Sequence, residues 1–323
     1  MQSSGTRRSA FWDELGQHNV HMLAAEGMEN FKRTVANNYF NWLVTDVSHP
    51  NFQHAFTQWL QEPDVSALFA TIGDTDHLRR RQRQDVLTLT AHERDVYRLY
   101  VGLLWSCMRH HDDLNLHTAL QEPEIGNPIR IEQGGKLISQ DLANSIIECN
   151  TIAKLLDGVE RPRILELGAG YGRLAHVYTA SQQGQYFIFD IEPALDVAHW
   201  YLSKIFGDGA CLIDDVREAG DAKIALVHAD SIENVPDGFF DLALSISTLP
   251  ELTEELAAFY LKQFQRVSRG HVFLKQWNAW RNPRDGALLK RESYSLRPEW
   301  AVILERDDPL VPNFFIKAWR YNR

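Results

Sequence analysis

Cysteine is scarce in this sequence. Three residues in 323, at Cys107, Cys149 and Cys211, are too few and too far apart for a disulfide framework or a close metal-ligand group. A reduced, cytoplasmic protein is the expectation. Long apolar runs are missing as well, none approaching the ~18 residues that a membrane helix needs. The opening MQSSGTRRSAFWDELG has no apolar h-region, so no secretory signal is expected. Basic residues are outnumbered, 33 Lys and Arg against 43 Asp and Glu, for a net charge of -10. Such a surface repels a phosphate backbone, and nucleic acid is not an expected partner. No internal repeat or low-complexity segment stands out.

What is present is ordinary globular material: 44% hydrophobic, 11% aromatic and 24% charged residues, which excludes a mostly disordered chain. The length suggests two domains, or one core with a large extension. Charge does not separate them, because residues 1–125 and 126–323 each carry a net of -5. Histidine does, with nine of 13 in the first 125 residues.

The first 120 residues read as helical. From Ala91 to His111, Val96, Leu99, Tyr100, Leu103, Leu104, Cys107 and Met108 form one apolar stripe at helical spacing. Thr90 is placed to cap it, with Glu93 completing a capping box. Leu15 to Trp42 and Asn51 to Leu60 are weaker helical segments. The run Arg79, Arg80, Arg81, Arg83 reads as a solvated helix end or a phosphate contact. Turn formers from Glu122 to Pro128, followed by Gly134-Gly135, suggest a connector. A helix from Ser139 or Gln140 to Leu156 follows it. From Arg163 onward strands alternate with helices: strands at 163–167, 186–189, 224–228, 240–246 and 271–276, and a closing antiparallel pair at 300–305 and 314–319. That alternation predicts a doubly wound α/β sheet, with domains at 1–125 and 126–323.

One segment carries the chemistry. Ile164-Leu165-Glu166-Leu167-Gly168-Ala169-Gly170-Tyr171-Gly172-Arg173 sets three glycines between a strand and a helix. Glycine allows a tight turn and close ligand approach, and the free amides at the helix start suit a carboxylate. Dinucleotide enzymes space their glycines G-x-G-x-x-G. Here the spacing is G-x-G-x-G with an acid just before it. That pattern resembles motif I of the class I S-adenosylmethionine-dependent methyltransferases. The resemblance implies that Glu166 engages the methionine amino group, with Gly168, Ala169, Gly170 and Arg173 in the binding turn. Asp190, 20 residues after Gly170 at a strand end, would take both ribose hydroxyls, and Ile191 would pack on adenine. The plainer reading of Asp190 is a helix cap before Pro193. In His228-Ala229-Asp230-Ser231, Asp230 would hold the adenine amino group, with Ser231 amides assisting. The strand Asp241–Ile246 and Ser247-Thr248-Leu249-Pro250-Glu251 match motif IV, whose C-terminal end faces the transferring methyl group.

Flanking motifs narrow the resemblance. Phe11-Trp12, Gly27 to Arg33, Asn38-Tyr39-Phe40, Glu124 to Pro128, Ile138 to Ser145 with Glu148, and Leu249-Pro250-Glu251-Leu252 together resemble the bacterial sugar O-methyltransferases. Pro250 departs from that family's pattern in this loop. The resemblance implies a class I methyltransferase Rossmann-like sheet with a closing antiparallel hairpin, plus an N-terminal helical domain that covers the active site. The implied acceptor is a small-molecule sugar or glycosylated compound, the product S-adenosylhomocysteine, and a homo-oligomer is possible. A polyketide or phenol acceptor, or a helical partner-binding protein with a vestigial cofactor domain, are the rival readings.

A sugar hydroxyl is weakly acidic, so a base or a metal would help. Glu251 is the first candidate base, with a capping or solvent carboxylate as its alternative. His228 is either a second base or a packing residue. Asn278 and Lys275 are placed to position the sugar, and Trp277 and Trp280 to stack on it or to pack in the core. Asn144, Ser145 and Glu148 could line the cofactor pocket or a helix surface. His110-His111-Asp112-Asp113 with His117 looks like a loose metal cluster. No helical spacing presents two of its histidines and a carboxylate together, so no metal ligands are assigned.

Overall fold

The computed structural model describes residues 9–35, 50–61, 90–283, 285–311 and 313–322. The arginine run at 79–83 and Asn38-Tyr39-Phe40 lie outside them. Two compact units emerge. One holds the described part of Met1–His21 with Ile152–Asp308 and Asn313–Arg323; the other holds Met22–Thr151 and Pro309–Pro312.

The chain opens with α1 (Ala10–Glu26), followed by a turn of 3-10 helix at Met28–Arg33. The second unit continues with α2 (Pro50–Trp59), α3 (Ala91–Arg109) and a short α4 (Leu116–Ala119). A hairpin of β1 (Ile131–Gln133) and β2 (Lys136–Ile138) comes next, and then α5 (Gln140–Leu155). The stripe on α3 is buried at Leu99, Tyr100, Leu103, Leu104, Cys107 and Met108. The Gly27 to Arg33 and Glu124 to Pro128 motifs turn out to be neighbours. Lys32 N–H donates to Gly126 O at 3.0 Å, and Arg33 Nε donates to Asn127 O at 2.9 Å. Phe31 lies fully buried against Gly126, where a Cβ would sit 2.2 Å from its ring. Gly126, at φ 82°, therefore serves both a left-handed turn and a close approach.

Further contacts tie residues on either side of position 125 to one another. Lys32 pairs with Glu122, Ser139 Oγ donates to Glu122 Oε2 at 2.6 Å, and Trp105 Nε1 donates to Ser139 O at 2.8 Å. The hairpin and most of α5 thus pack with the helices that precede them. The histidine-acid segment is tied in the same way. Asp112 Oδ2 accepts from His117 N–H at 2.8 Å and lies 2.7 Å from its Nδ1, while Oδ1 accepts from Asn150 Nδ2 at 2.8 Å. Among the described residues no group of three or more His, Cys, Asp or Glu is placed to hold a metal ion. None of the helices among them is long and apolar enough to cross a membrane.

The first unit is built on an eight-stranded sheet. Its strands are β3 (Arg163–Leu167), β4 (Gln185–Asp190), β5 (Ala210–Leu212), β6 (Ile224–His228), β7 (Phe240–Ile246), β8 (Ser268–Trp277), β11 (Trp300–Asp307) and β12 (Phe314–Tyr321). The order is β11-β12-β8-β7-β3-β4-β6-β5. The six strands from β8 to β5 are parallel, and β12 runs antiparallel to both β8 and β11. A mostly parallel sheet closed by the antiparallel β11–β12 hairpin agrees with the expected doubly wound α/β architecture, and β5 extends it at the outer edge. A small hairpin of β9 (Ala279–Arg281) and β10 (Leu288–Lys290) stands apart. Parallel strands are covered on both faces and so read as continuous apolar runs, as Ile164–Leu167, Tyr186–Phe189 and Ile224–Val227 do. Helices α6 (Arg173–Ser181), α7 (Ala194–Phe206) and α8 (Glu254–Val267) connect them. On one face Leu165, Phe187, Ala243, Val272 and Leu274 pack with Tyr260 and Phe264 of α8 in the main core.

Lys275 is structural. Its Nζ lies 2.9 Å from Asp308 Oδ2, and both side chains are buried. Removing one member of such a pair leaves an uncompensated buried charge. Lys275→Met is expected to lose about 3–5 kcal/mol in urea unfolding. Lys275→Met/Asp308→Leu is expected to recover most of that loss. Equal destabilisation in the single and double variants would contradict the pairing.

Candidate active site

After β3 the chain goes first to β4 and β6 on one side, and later to β7 and β8 on the other. In open α/β sheets the crevice at such a switch point, at the C-terminal strand ends, is the ligand site. Every glycine of the motif falls there. Gly168, Gly170 and Gly172 have φ of 73°, 60° and 81°, and Gly172 is the N-cap of α6, which Arg173 opens. Gly168 is also required by packing: a Cβ would sit 2.1 Å from Thr248 Oγ1. The loop after β7 thus lies directly on the turn after β3.

Asp190 ends β4 and joins the turn to it. Its Oδ2 accepts from Gly170 N–H at 2.9 Å, and its Oδ1 accepts from Ile191 N–H at 2.8 Å. It is not the cap of α7, whose N-cap is Pro193 without a side-chain bond. Burial raises its carboxyl to about 7; the two amide bonds oppose that shift and the charge of Glu192 adds to it. Glu166 is deeper, 3% exposed, and its Oε2 accepts from Tyr186 Oη at 2.8 Å. It therefore braces β3 against β4 from beneath the turn. Ala169 is buried, and Ile191 is half-buried against the main core.

The flank beyond β4 holds His228, Asp230 and Ser231. His228 is the register partner of Asp190. Its Nε2 lies 3.5 Å from Glu192 Oε2, and its Nδ1 lies 3.7 Å from Asp230 Oδ2. The Asp230 N–H donates to His228 Nδ1 at 3.3 Å. Ser231 follows in the same 3-10 turn, Ala229–Asn234.

The opposite flank holds Ser247, Glu251 and Asn278. Ser247 follows β7 with φ 61° and donates its N–H to Lys275 O at 2.9 Å. A non-glycine residue in that region is strained, and such strain collects at functional sites. Glu251 closes a 3-10 turn, Leu249–Glu251. It does not cap α8, because Thr253 does so by accepting from Leu256 N–H at 3.3 Å. Enclosure of its carboxyl, and then the charge of Asp190, push Glu251 well above the ordinary carboxylate range. Its backbone oxygen accepts from Ser9 Oγ at 2.9 Å and from Asn282 Nδ2 at 3.3 Å. Asn278 is held by its backbone, N–H to Asn313 O at 2.7 Å and O from Arg291 N–H at 2.9 Å. Its Oδ1 and the Nε1 of Trp280 are buried without a hydrogen-bond partner. Trp277 stands 5.2 Å from Trp280 and 4.3 Å from Phe314, centroid to centroid.

The three candidate catalytic residues are therefore not one constellation. Between β6 and β7 stand β3 and β4, so three spacings of about 4.8 Å separate the His228 and Glu251 strands. Asn144, Ser145 and Glu148 are buried on α5 in the helical unit. Sequence reading missed Ser9, whose hydroxyl anchors the Glu251 turn from 242 residues away; no local pattern marks such a contact.

A carboxyl raised from 3.8 to about 7 contributes stability that is full below the unfolded value and is lost as pH rises through the folded one. Urea unfolding is expected to show the wild type losing stability between pH of about 4 and about 7 relative to Asp190→Asn. A difference between the two that does not vary with pH would refute the raised carboxyl.

No family model matches the chain, and no curated protein matches it. Solved structures do. A SAM-dependent methyltransferase from Aquifex aeolicus is 16% identical, over 54% of this chain and 89% of its own, with a TM-score of 0.36. The 1,6-didemethyltoxoflavin-N1-methyltransferase of Burkholderia thailandensis, with 1,6-didemethyltoxoflavin and S-adenosylhomocysteine bound, is 14% identical over 74% and 93%, with a TM-score of 0.43. The magnesium protoporphyrin IX methyltransferase of Synechocystis PCC 6803, with S-adenosylhomocysteine bound, is 10% identical over 56% and 86%, with a TM-score of 0.41.

Proposed function

We propose that the chain is an S-adenosylmethionine-dependent methyltransferase that methylates a hydroxyl of a sugar or glycosylated small molecule and releases S-adenosylhomocysteine. The observation that carries the reading is Asp190. Each of its oxygens accepts one backbone N–H and keeps a lone pair, which suits it to a ribose diol beside a glycine turn. The neighbouring carboxyl of Glu251 adds an acidic environment that favours a positively charged ligand.

When bound, S-adenosylmethionine supplies an activated methyl group on a positive sulfur. The chain's own task is to align the acceptor and remove its proton. Trp277 and Trp280 offer a ring face for the acceptor, and Asn278 Oδ1 and Trp280 Nε1 offer one acceptor and one donor to its hydroxyls. Glu251 is the base. A carboxylate with a raised pKa accepts a hydroxyl proton more readily than an ordinary one, and a positive charge alongside favours its ionised form. His228, among the acids of the other flank, has an orienting role at the nucleoside end. The aromatic pair suits a flat phenol or polyketide ring as well, which is the second reading.

Incubation with labelled S-adenosylmethionine and a panel of free, nucleotide-linked and scaffold-linked sugars, with phenols alongside, decides between the two. Label on phenols alone would discard the sugar reading, and failure of S-adenosylmethionine to bind in calorimetry would discard both. With the accepted substrate, Glu251→Gln is expected to lower kcat about 10²–10⁴-fold and to abolish the rise of rate with pH. An unchanged kcat would remove Glu251 as the base.

A further inference from the structure

The first helix belongs to the catalytic unit through His21, although 130 residues separate it from the rest of that unit. Its inward stripe consists of Phe11, Trp12, Leu15, Gly16, Asn19, Met22 and Leu23, while Asp13, Glu14, Gln17, His18, Val20 and His21 are exposed. Asn19 is the one polar side chain in that stripe. It is 0% exposed, and neither its Nδ2 nor its Oδ1 has a hydrogen-bond partner. A buried carboxamide with both ends unpaired is costly, so its retention at this place calls for a partner.

Two contacts locate it. Ser9, just before the helix, bonds to Glu251 in the loop after β7. Gly16 lies 4.0 Å (from an ideal Cβ) from Pro193 Cδ in the loop after β4. Seven helical residues span about 10 Å, and β7 and β4 are two strands apart, also about 10 Å. The two contacts run the helix along the C-terminal edge of the sheet, from the loop after β7 toward the loop after β4. Asn19 lies three residues further on, about 4.5 Å, or one more strand spacing. Continued in that direction the helix leads toward the end of β6, which carries His228 and precedes Asp230. Trp12, Gly16 and Asn19 share one helix face; Trp12 packs on the main core and Gly16 meets Pro193, so Asn19 lies on the face turned to the sheet edge.

We infer that α1 roofs the nucleoside end of the cofactor site and that Asn19 reads the adenine ring, its Nδ2 donating to a ring nitrogen and its Oδ1 accepting from the 6-amino group. A carboxamide matches adenine in this bidentate way. The inference rests on the S-adenosylmethionine reading, and it assigns a binding residue where neither the glycine motif nor its spacing points.

Calorimetry of the wild type and of Asn19→Leu with S-adenosylhomocysteine tests it, repeated with the analogue whose purine lacks the 6-amino group. Thermal unfolding of both ligand-free proteins serves as control. Asn19→Leu is expected to bind S-adenosylhomocysteine about tenfold to a hundredfold more weakly. Deleting the amino group is expected to weaken the wild type clearly more than the variant. The ligand-free variant is expected to melt no lower than the wild type, because leucine removes two unpaired polar atoms. Equal affinity of the two proteins, an equal effect of amino-group deletion on both, or a lower ligand-free melting temperature would each overturn the assignment while leaving the proposed function standing. A wild type that binds no S-adenosylhomocysteine would overturn both.

Discussion

Asp190 joins the two strands on which the site is built. Its carboxyl takes one amide from the glycine turn after β3 and one from the loop after β4, so the turn cannot shift without breaking a bond to a buried acid. Burial alone disfavours that charge, and Glu251 is disfavoured by its own enclosure and by Asp190 together. Glu192 adds to the rise at Asp190, and an acidic surrounding of this kind favours positive charge. The remaining features follow from the rigidity of the turn. Thr248 sits against Gly168, which fixes the loop after β7, and Ser9 and Asn282 then hold the Glu251 turn from two other parts of the chain.

The parallel sheet was legible because strands buried on both faces leave unbroken apolar runs, and the turn that Asp190 holds was legible because three spaced glycines and an acid 20 residues on are local signals. What escaped has physical reasons. Ala210–Leu212 is three residues long, too short to show a period. The β1–β2 hairpin was read as a connector, although Gly134-Gly135 is a two-residue hairpin signal, because its strands are also only three residues each. The contacts of Glu122, Trp105 and Asn150 left no local pattern, because their partners lie 17 to 38 residues away. Lys275 stayed ambiguous between substrate and structure until Asp308 came within 2.9 Å.

The flanking motifs behind the sugar resemblance divide in the same way. Gly27 to Arg33 and Glu124 to Pro128 form one packed knot around Phe31, so their residue types are explained by folding and say little about the acceptor. The histidine surplus of the first 125 residues yields no metal group among the described residues, and His117 is accounted for by its ties to Asp112. In the proposed reading acceptor choice rests instead on Trp277, Asn278 and Trp280, which follow or end β8.

Unpaired polar atoms separate ligand-facing positions from packing compromises, provided that their surroundings are weighed. Tyr294 Oη and Trp300 Nε1 are unpaired as well, but both side chains belong to the main core. There the ring's apolar bulk is what the position uses. Asn19, Asn278 and Trp280 differ in place. The first lies on the buried face of α1, and the others follow the C-terminal end of β8. A carboxamide has little apolar bulk to justify burial, so at Asn19 and Asn278 the polar atoms themselves must be the reason. In the proposed reading they stand at the nucleoside and acceptor ends of the site, with the Asp190 turn between them.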